Sequence, residues 1–557
     1  MASRITAGGR VAQNTVSMLA ARVVMAAASL ASLPVAYTRL GERAYGVWVL
    51  LGGLMAIMAL ADLGLGSALV REVARAASGE RRGRLGAMLG LGLVWGVCAG
   101  VLALVGIALG WSWLVSLMHL GDLSTQAWHA ALWLALGLLF NGVEVPWRAV
   151  LEGTQRYGAL ACVSGGTALA GAALAVFVLR RGGGLVELSA SSAAASALRT
   201  GLIAGLARRY EPAMAPRVRG IEADDLRSMR GYGMRVQISS ASAAANTEMD
   251  RFFLGGLFGP ATAGGFDVGC RLLNLLRLPP GLVLVALFPA AVAGAATGGP
   301  SWLDRFHLLA TRYLTVCLAP AAAALMVCAD PLVRLWLGHQ VSWGAANLAV
   351  LVPAYAVNLA AGAATVVTRA EGRPGRETRY VLLSVAINFA LTYPLARLVG
   401  PLGVPLATAI GVVASTGYFM LHFHRTSGRP IPPLVRVVWP PVMVAAIAGT
   451  VGAVAARFLP DGPDRWGAAA AVLCRGGLIL AVAGALLVAS GCVGRGDWRR
   501  LRGLVRRVAP AAAQPTVASP AIAPPTIAPP TIPPPAVAPP IAPPGLPPAA
   551  EMAGGGR

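Results

Sequence analysis

The feature that most constrains this chain is a recurring apolar run of roughly 20 residues, the length that crosses a bilayer core. About fourteen such runs are legible. They centre on residues 12–37, 45–66, 85–110, 124–146, 158–179, 185–207, 232–257, 264–294, 311–329, 344–368, 380–398, 402–421, 437–458 and 467–492. Only 12% of the 557 residues are charged and mean hydropathy is +0.67. A soluble domain is about 25% charged, so this chain cannot clothe a water-soluble surface of its size. That excludes a soluble enzyme, a soluble binding module and a disordered protein. The expected fold class is an all-α polytopic membrane protein of about 14 transmembrane helices, in two six-helix lobes plus two C-terminal helices.

Charge gives the orientation. The net charge is +23, carried by 46 Arg with no Lys. A balance this basic can signal nucleic acid, but in a polytopic chain Arg gathers in cytoplasmic loops. With the N-terminus cytoplasmic, cytoplasmic segments hold about 31 Arg and external loops about 8. The dense groups are Arg71, Arg75, Arg81, Arg82 and Arg84, then Arg208 to Arg230, then Arg369 to Arg379. The expected location is the bacterial cytoplasmic membrane, with both termini cytoplasmic. The first apolar run is too long for a cleavable signal and carries Arg22. The seven Cys stand singly in apolar runs with no CxxC pair, and His422 and His424 alone make no metal site. No metal or cofactor is expected.

A weak internal repeat has an offset of 219: Glu152-Gly153 with Glu371-Gly372, Gly184-Leu185 with Gly403-Val404, and Ala44-Tyr45-Gly46 with Ala263-Gly264-Gly265. Six helices lie between equivalents, so the two lobes enter from the same side as parallel repeats. The expected division is an N-terminal six-helix lobe (1–230), a C-terminal six-helix lobe (231–436), two extra helices (437–494), a basic juxtamembrane segment (495–508) and a Pro-rich tail (509–557). The juxtamembrane Arg suit anionic headgroups. The tail repeats Ile-Ala-Pro-Pro-Thr-like units, which can form neither a helix nor a packed core.

Charges inside spans are costly and mark function. In the seventh span Arg235, Ser239, Ser242, Asn246 and Asp250 fall within about 80° of one another on a helix; Glu248 and Arg251 are expected to point elsewhere. The eighth span repeats the pattern with Asp267, Arg271 and Asn274, with Arg277 at the stripe's edge. Asp267 and Arg271 form an i, i+4 pair. The first span carries Asn14, Ser17, Arg22, Ser29 and Ser32, and Asp62 sits near the end of the second. These stripes predict a water-filled cavity between the lobes, with more Arg than carboxylate. A guanidinium fork there suits phosphate or pyrophosphate. Asn14, Arg22, Asp62, Arg235, Asn246, Asp250, Asp267, Arg271, Asn274 and Arg277 are the candidate cavity residues. Catalytic signals are poor. Without Lys there is no P-loop, and external loops are too short for a lipid-linked glycosyltransferase.

The stretch Arg39-Leu40-Gly41-Glu42-Arg43-Ala44-Tyr45-Gly46-Val47-Trp48, continuing to Ala61-Asp62-Leu63-Gly64-Leu65-Gly66-Ser67 and Arg71-Glu72, resembles the start of the polysaccharide (O-antigen-type) flippases. These belong to the multidrug/oligosaccharidyl-lipid/polysaccharide exporter superfamily. Asp250-Arg251, the turn from Gly259 to Phe266, and Glu152-Gly153-Thr154-Gln155-Arg156-Tyr157 are also similar. The resemblance spans about residues 10 to 495. It implies a V-shaped two-lobed transporter that moves an undecaprenyl-pyrophosphate-linked oligosaccharide outward for polysaccharide (O-antigen, lipopolysaccharide) biosynthesis. The alternatives are a lipid II-type flippase, a cation-coupled exporter of the same superfamily, and a membrane glycosyltransferase. Expected partners are the lipid-linked substrate, membrane lipids and a polysaccharide polymerase or glycosyltransferase, with no nucleic acid.

Overall fold

An apolar solvent offers backbone N–H and C=O groups no partner, so a spanning segment must satisfy them internally. A computed structural model describes residues 7–62, 64–78, 82–220, 248–373, 375–458, 462, 464–494 and 496–497, and every regular element among them is helical. In order these are α1 (Ala7–Met58), α2 (Leu65–Ala77), α3 (Arg82–Leu117), α4 (Ser124–Gly153), α5 (Tyr157–Arg180), α6 (Leu185–Tyr210), α7 (248–258) and α8 (Pro260–Val327). There follow α9 (Ala329–Leu337), α10 (Ser342–Ala360), α11 (Gly362–Ala370), α12 (Gly375–Val399), α13 (Gly403–Ser427), α14 (Ile431–Ala455), α15 (Arg465–Ala471) and α16 (Gly477–Ala489). The chain divides into two units, Met1–Gly494 and Arg495–Arg557; of the second only Gly496 and Asp497 are described. The predicted tail and basic segment lie outside the described residues.

Ten helical segments among the described residues are long and apolar enough to span a membrane. Two of them are interrupted by a turn, and each covers two predicted spans. Val16–Asp62 is broken at Gly41, and Gly375–Ser427 at Gly400–Leu402. The predicted sixth span is α6, 26 residues long but rich in Ser. Most of the predicted seventh falls in 221–247, outside the described residues. The protein is thus an all-α polytopic membrane protein. One boundary differs from expectation. The second span does not run unbroken to residue 66: its helix stops at Met58, a 3-10 turn covers Ala59–Asp62, and Gly64 at φ 74° starts α2.

Breaks inside spans free carbonyls, and specific side chains meet them. Pro34 cannot donate to Leu30, and the indole of Trp336 donates to the Leu30 carbonyl at 3.0 Å instead. Trp95 donates to Ala61 in the 3-10 turn at 2.8 Å.

The repeat is clearer in the backbone than in the residues. Gly41 (φ 79°, ψ 165°) and Gly259 (φ 92°, ψ 165°) adopt one conformation 218 positions apart. The helix starts Ser124 and Ser342, Tyr157 and Gly375, and Leu185 and Gly403 share that spacing. The offset is therefore 218, one less than the residue matches suggested. Helices α1 to α6 contact mainly one another, as do α8 and α10 to α13, while α14 and α16 pack on α8 and on each other. The principal contact between the two sets joins α1 and α8. There the repeat-equivalent Gly46 and Gly264 meet, close enough that a Cβ on Gly264 would sit 3.2 Å from the Gly46 Cα. The core buries Tyr37, Tyr45, Leu50 and Leu51 around this contact, while Leu109, Leu398 and Leu473 lie 74–81% exposed, as lipid-facing side chains do.

Candidate functional site: a polar centre where the two halves meet

The Gly259 turn folds α7 back against the start of α8, which brings Arg251 to Asp267. Asp267 is 1% exposed and accepts three hydrogen bonds. They come from Arg251 Nη2 at 2.7 Å, Arg271 Nε at 2.7 Å and the Tyr45 hydroxyl at 2.6 Å. Arg251 also bridges to Glu248 at 2.5 Å. Arg271 Nη1 donates to the Ser29 hydroxyl on α1. One carboxylate thus ties α7, α8 and both arms of α1 together. The expectation that Glu248 and Arg251 point away is corrected here. The helical wheel fixes the Cβ direction, but a guanidinium several bonds further out reaches the helix packed alongside.

Beside this network lies a cavity of about 240 Å³, lined by Asp250, Arg251, Asp267, Arg271, Asn274, Arg277, Tyr355 and Thr408 among others. Arg277 sits 4.6 Å from the Tyr355 ring centre, and among the described residues no carboxylate pairs with it. Asp250, 2% exposed, has neutral donors: Asn388 Nδ2 at 3.1 Å and the Thr408 hydroxyl. Thr392 in turn donates to Asn388 Oδ1 at 2.9 Å. This oxygen-rich set can hold a proton or a hard cation. Across Arg271 a second cavity of about 310 Å³ opens between α1, α5 and α6. Arg199 and Arg271 both line it. Arg199 is held by Glu144 at 2.7 Å and Asn141 at 2.8 Å. A third, apolar groove of about 760 Å³ runs between the second arm of α8, α10, α13 and α14, lined by residues such as Leu318, Met326, Val357, Val413, Met420 and Val442.

The structure brings together five of the ten predicted residues: Asp250, Asp267, Arg271, Asn274 and Arg277. Arg22 is exposed on the α1 face of Met25 and Ser29, below the second cavity but not lining it. Asn14 donates to the Gln155 carbonyl at 3.3 Å, at the turn after α4, and Asp62 caps the start of α2 through the Gly66 N–H at 3.3 Å. Arg235 and Asn246 lie outside the described residues. Arg251, Arg271 and Arg277 line this cavity against Asp250 and Asp267, and Arg251 and Arg271 share Asp267. Sequence reasoning missed Tyr45 as a partner of Asp267, and missed Arg199 with Glu144. The signal for the last two was available, since both are charges inside apolar spans.

The helical fold and a sunken, arginine-lined polar centre between two repeated halves define a polytopic membrane protein. The chain belongs to the polysaccharide biosynthesis protein family, whose model matches residues 11–293. Among solved structures it is similar to the lipid II flippase MurJ in an inward closed conformation, at 12% identity and TM-score 0.66, covering 85% of this chain and 98% of that one. An inward-facing multidrug resistance MATE family transporter matches at 15% identity and TM-score 0.59, covering 72% and 94%. A MOP superfamily transporter from Pyrococcus furiosus, described by the reverse polarity of its binding pocket, matches at 17% identity and TM-score 0.54, covering 75% and 96%. At these identities the likeness is one of fold. No curated protein sequence matches significantly.

Proposed function

We propose that this protein is a flippase of the bacterial cytoplasmic membrane. It moves an undecaprenyl-pyrophosphate-linked oligosaccharide from the cytoplasmic to the outer face for polysaccharide assembly, without catalysing a covalent step. In this reading helices up to residue 230 form one lobe, residues 231–436 form the other, and both termini are cytoplasmic. The observation that carries it is Arg271. Its guanidinium lines both polar cavities where α1 meets α8, and a pyrophosphate held there would touch both halves of the molecule at once. A fork of fixed donors suits a phosphate better than a point charge. The apolar groove along α14 offers a polyprenyl chain a surface continuous with lipid. The test is glycan export in a strain lacking its own flippase, with membrane protein levels measured in parallel. Arg271→Ala is expected to abolish export even after correction for its level in the membrane, and Arg271→Lys to restore part of it. Normal export by Arg271→Ala would overturn the reading.

The second reading is a lipid II-type carrier, favoured by the fold match to MurJ over 98% of that chain. Rescue of a lipid II flippase depletion strain, with no effect on glycan export, would select it.

A further inference from the structure

We infer that the cavity between α1, α5 and α6 is a sugar subsite, which seats the ring attached directly to the pyrophosphate. This rests on the proposed function and names the part of the substrate that this chamber reads. Six hydroxyls line it: Ser29, Ser32, Ser164, Thr167, Ser192 and Ser196. They come from three helices and converge on one space of about 310 Å³, at the small end of the range for ligand pockets. Between them the walls are mostly Ala and Gly, with Met25, Leu33 and Leu188, so much of the room is left by small side chains.

The chemistry is that of a polyol rather than of an ion. A hydroxyl both donates and accepts, as a sugar hydroxyl does. Among the described residues no carboxylate lines the chamber, which makes it a poor cation site. Thr167 and Ser192 donate to the Val163 and Leu188 carbonyls of their own helices, which leaves their lone pairs facing the space. The Ser164 and Ser196 hydroxyls make no hydrogen bond among the described residues. Tyr45 and Trp48, with ring centres 5.8 Å apart, supply an aromatic wall of the kind that packs against the apolar face of a pyranose. The two cations sit at the edges. Arg199 is fixed by Glu144 and Asn141, and Arg271 lies between this chamber and the neighbouring one. A pyrophosphate on Arg271 would therefore point its first sugar into the hydroxyl ring. Lining hydroxyls reject a substrate without matching groups more strongly than an apolar pocket can.

The experiment uses the purified full chain in lipid nanodiscs with two probes, undecaprenyl pyrophosphate and undecaprenyl-pyrophosphoryl N-acetylglucosamine. Wild type is expected to bind the glycosylated probe at least about tenfold tighter, as several added hydrogen bonds allow. Ser164→Val with Ser196→Val is expected to cancel that preference and leave the bare probe's affinity unchanged. Ala168→Leu, which fills the chamber, is expected to do the same by another route, so a folding defect in one variant does not decide the matter. Arg271→Ala is expected to weaken both probes. Equal wild-type affinity for the two probes, or a preference that survives both chamber variants, would overturn the sugar subsite while leaving the flippase reading intact. Binding of neither probe, or binding of both that is unaffected by Arg271→Ala, would overturn the flippase reading itself.

Discussion

At Asp267 three donors meet one buried carboxylate, so the consequence of removing any of them depends on what remains. Arg271→Ala is the case in point. Asp267 is 1% exposed and would keep only Arg251 and Tyr45. Losing the sole partner of a buried charge costs roughly 3–5 kcal/mol; with Arg251 retained, about 2 kcal/mol is expected. Asp267→Asn in the same chain should recover most of it, because the demand for the second cation disappears. Thermal unfolding of the purified variants checks this, and a single variant that melts with wild type would mean that Asp267 is solvated. Legibility at this scale was uneven. Spacing found Asp267, Arg271 and Asn274 because an i, i+3/i+4 stripe is a property of one helix. It misplaced Arg251 because its partner lies on another helix, across a turn that no wheel describes.

For the elements, hydropathy located nearly every helix but not the turns that aim them. Gly41 and Gly259 take one left-handed conformation at equivalent points of the two halves, and each lies just before the arm that carries a contact glycine. Dipeptide matching put the offset at 219 rather than 218 because a Gly-rich chain offers chance matches at neighbouring spacings, whereas the turn conformation tolerates only one register. At φ 92° and ψ 165° a residue with a Cβ is strained by about 1–3 kcal/mol. Gly259→Ala is therefore expected to lower stability by about 2 kcal/mol. Gly52→Ala, in an exposed helical position with open space around the added methyl, is expected to be neutral or mildly stabilising. Unfolding midpoints of the two variants, measured side by side, check the pair. If both behave alike, the Gly259 turn imposes no constraint.

For the whole molecule, composition required a membrane protein, and apolar runs of roughly 20 residues rather than about 10 selected helices over a β-barrel. The span count held where apolar runs are pure. It was least legible at α6, where Ser189, Ser191, Ser192 and Arg199 dilute the run; Ser192, Ser196 and Arg199 of that helix line a polar chamber. Arg placement carries the expected orientation. Reporter fusions at Gly79, Gly220 and the C-terminus are expected to report cytoplasm, and one after Asp461 the outside; a C-terminal fusion active only outside would sink the fourteen-span arrangement. The polar centre is likewise distinct from the end of the chain. The family match and the polar centre lie well before residue 495. The segment from Ala521 to Pro548 holds Ala, Pro, Ile, Thr, Val, Gly and Leu but no charged residue with which to hold a pyrophosphate. Its many Pro residues carry no backbone N–H donor. The Arg cluster from Arg495 to Arg507 is different, since each Arg near an anionic surface contributes about 1 kcal/mol of attraction. Truncation after Val508 is therefore expected to leave insertion and export at wild-type levels, while truncation after Gly494 lowers the amount of protein in the membrane. Membrane immunoblots and glycan export in the same strains read the two effects apart. Loss of export after the Val508 truncation, at normal protein levels, would mean that the tail recruits a partner for transport.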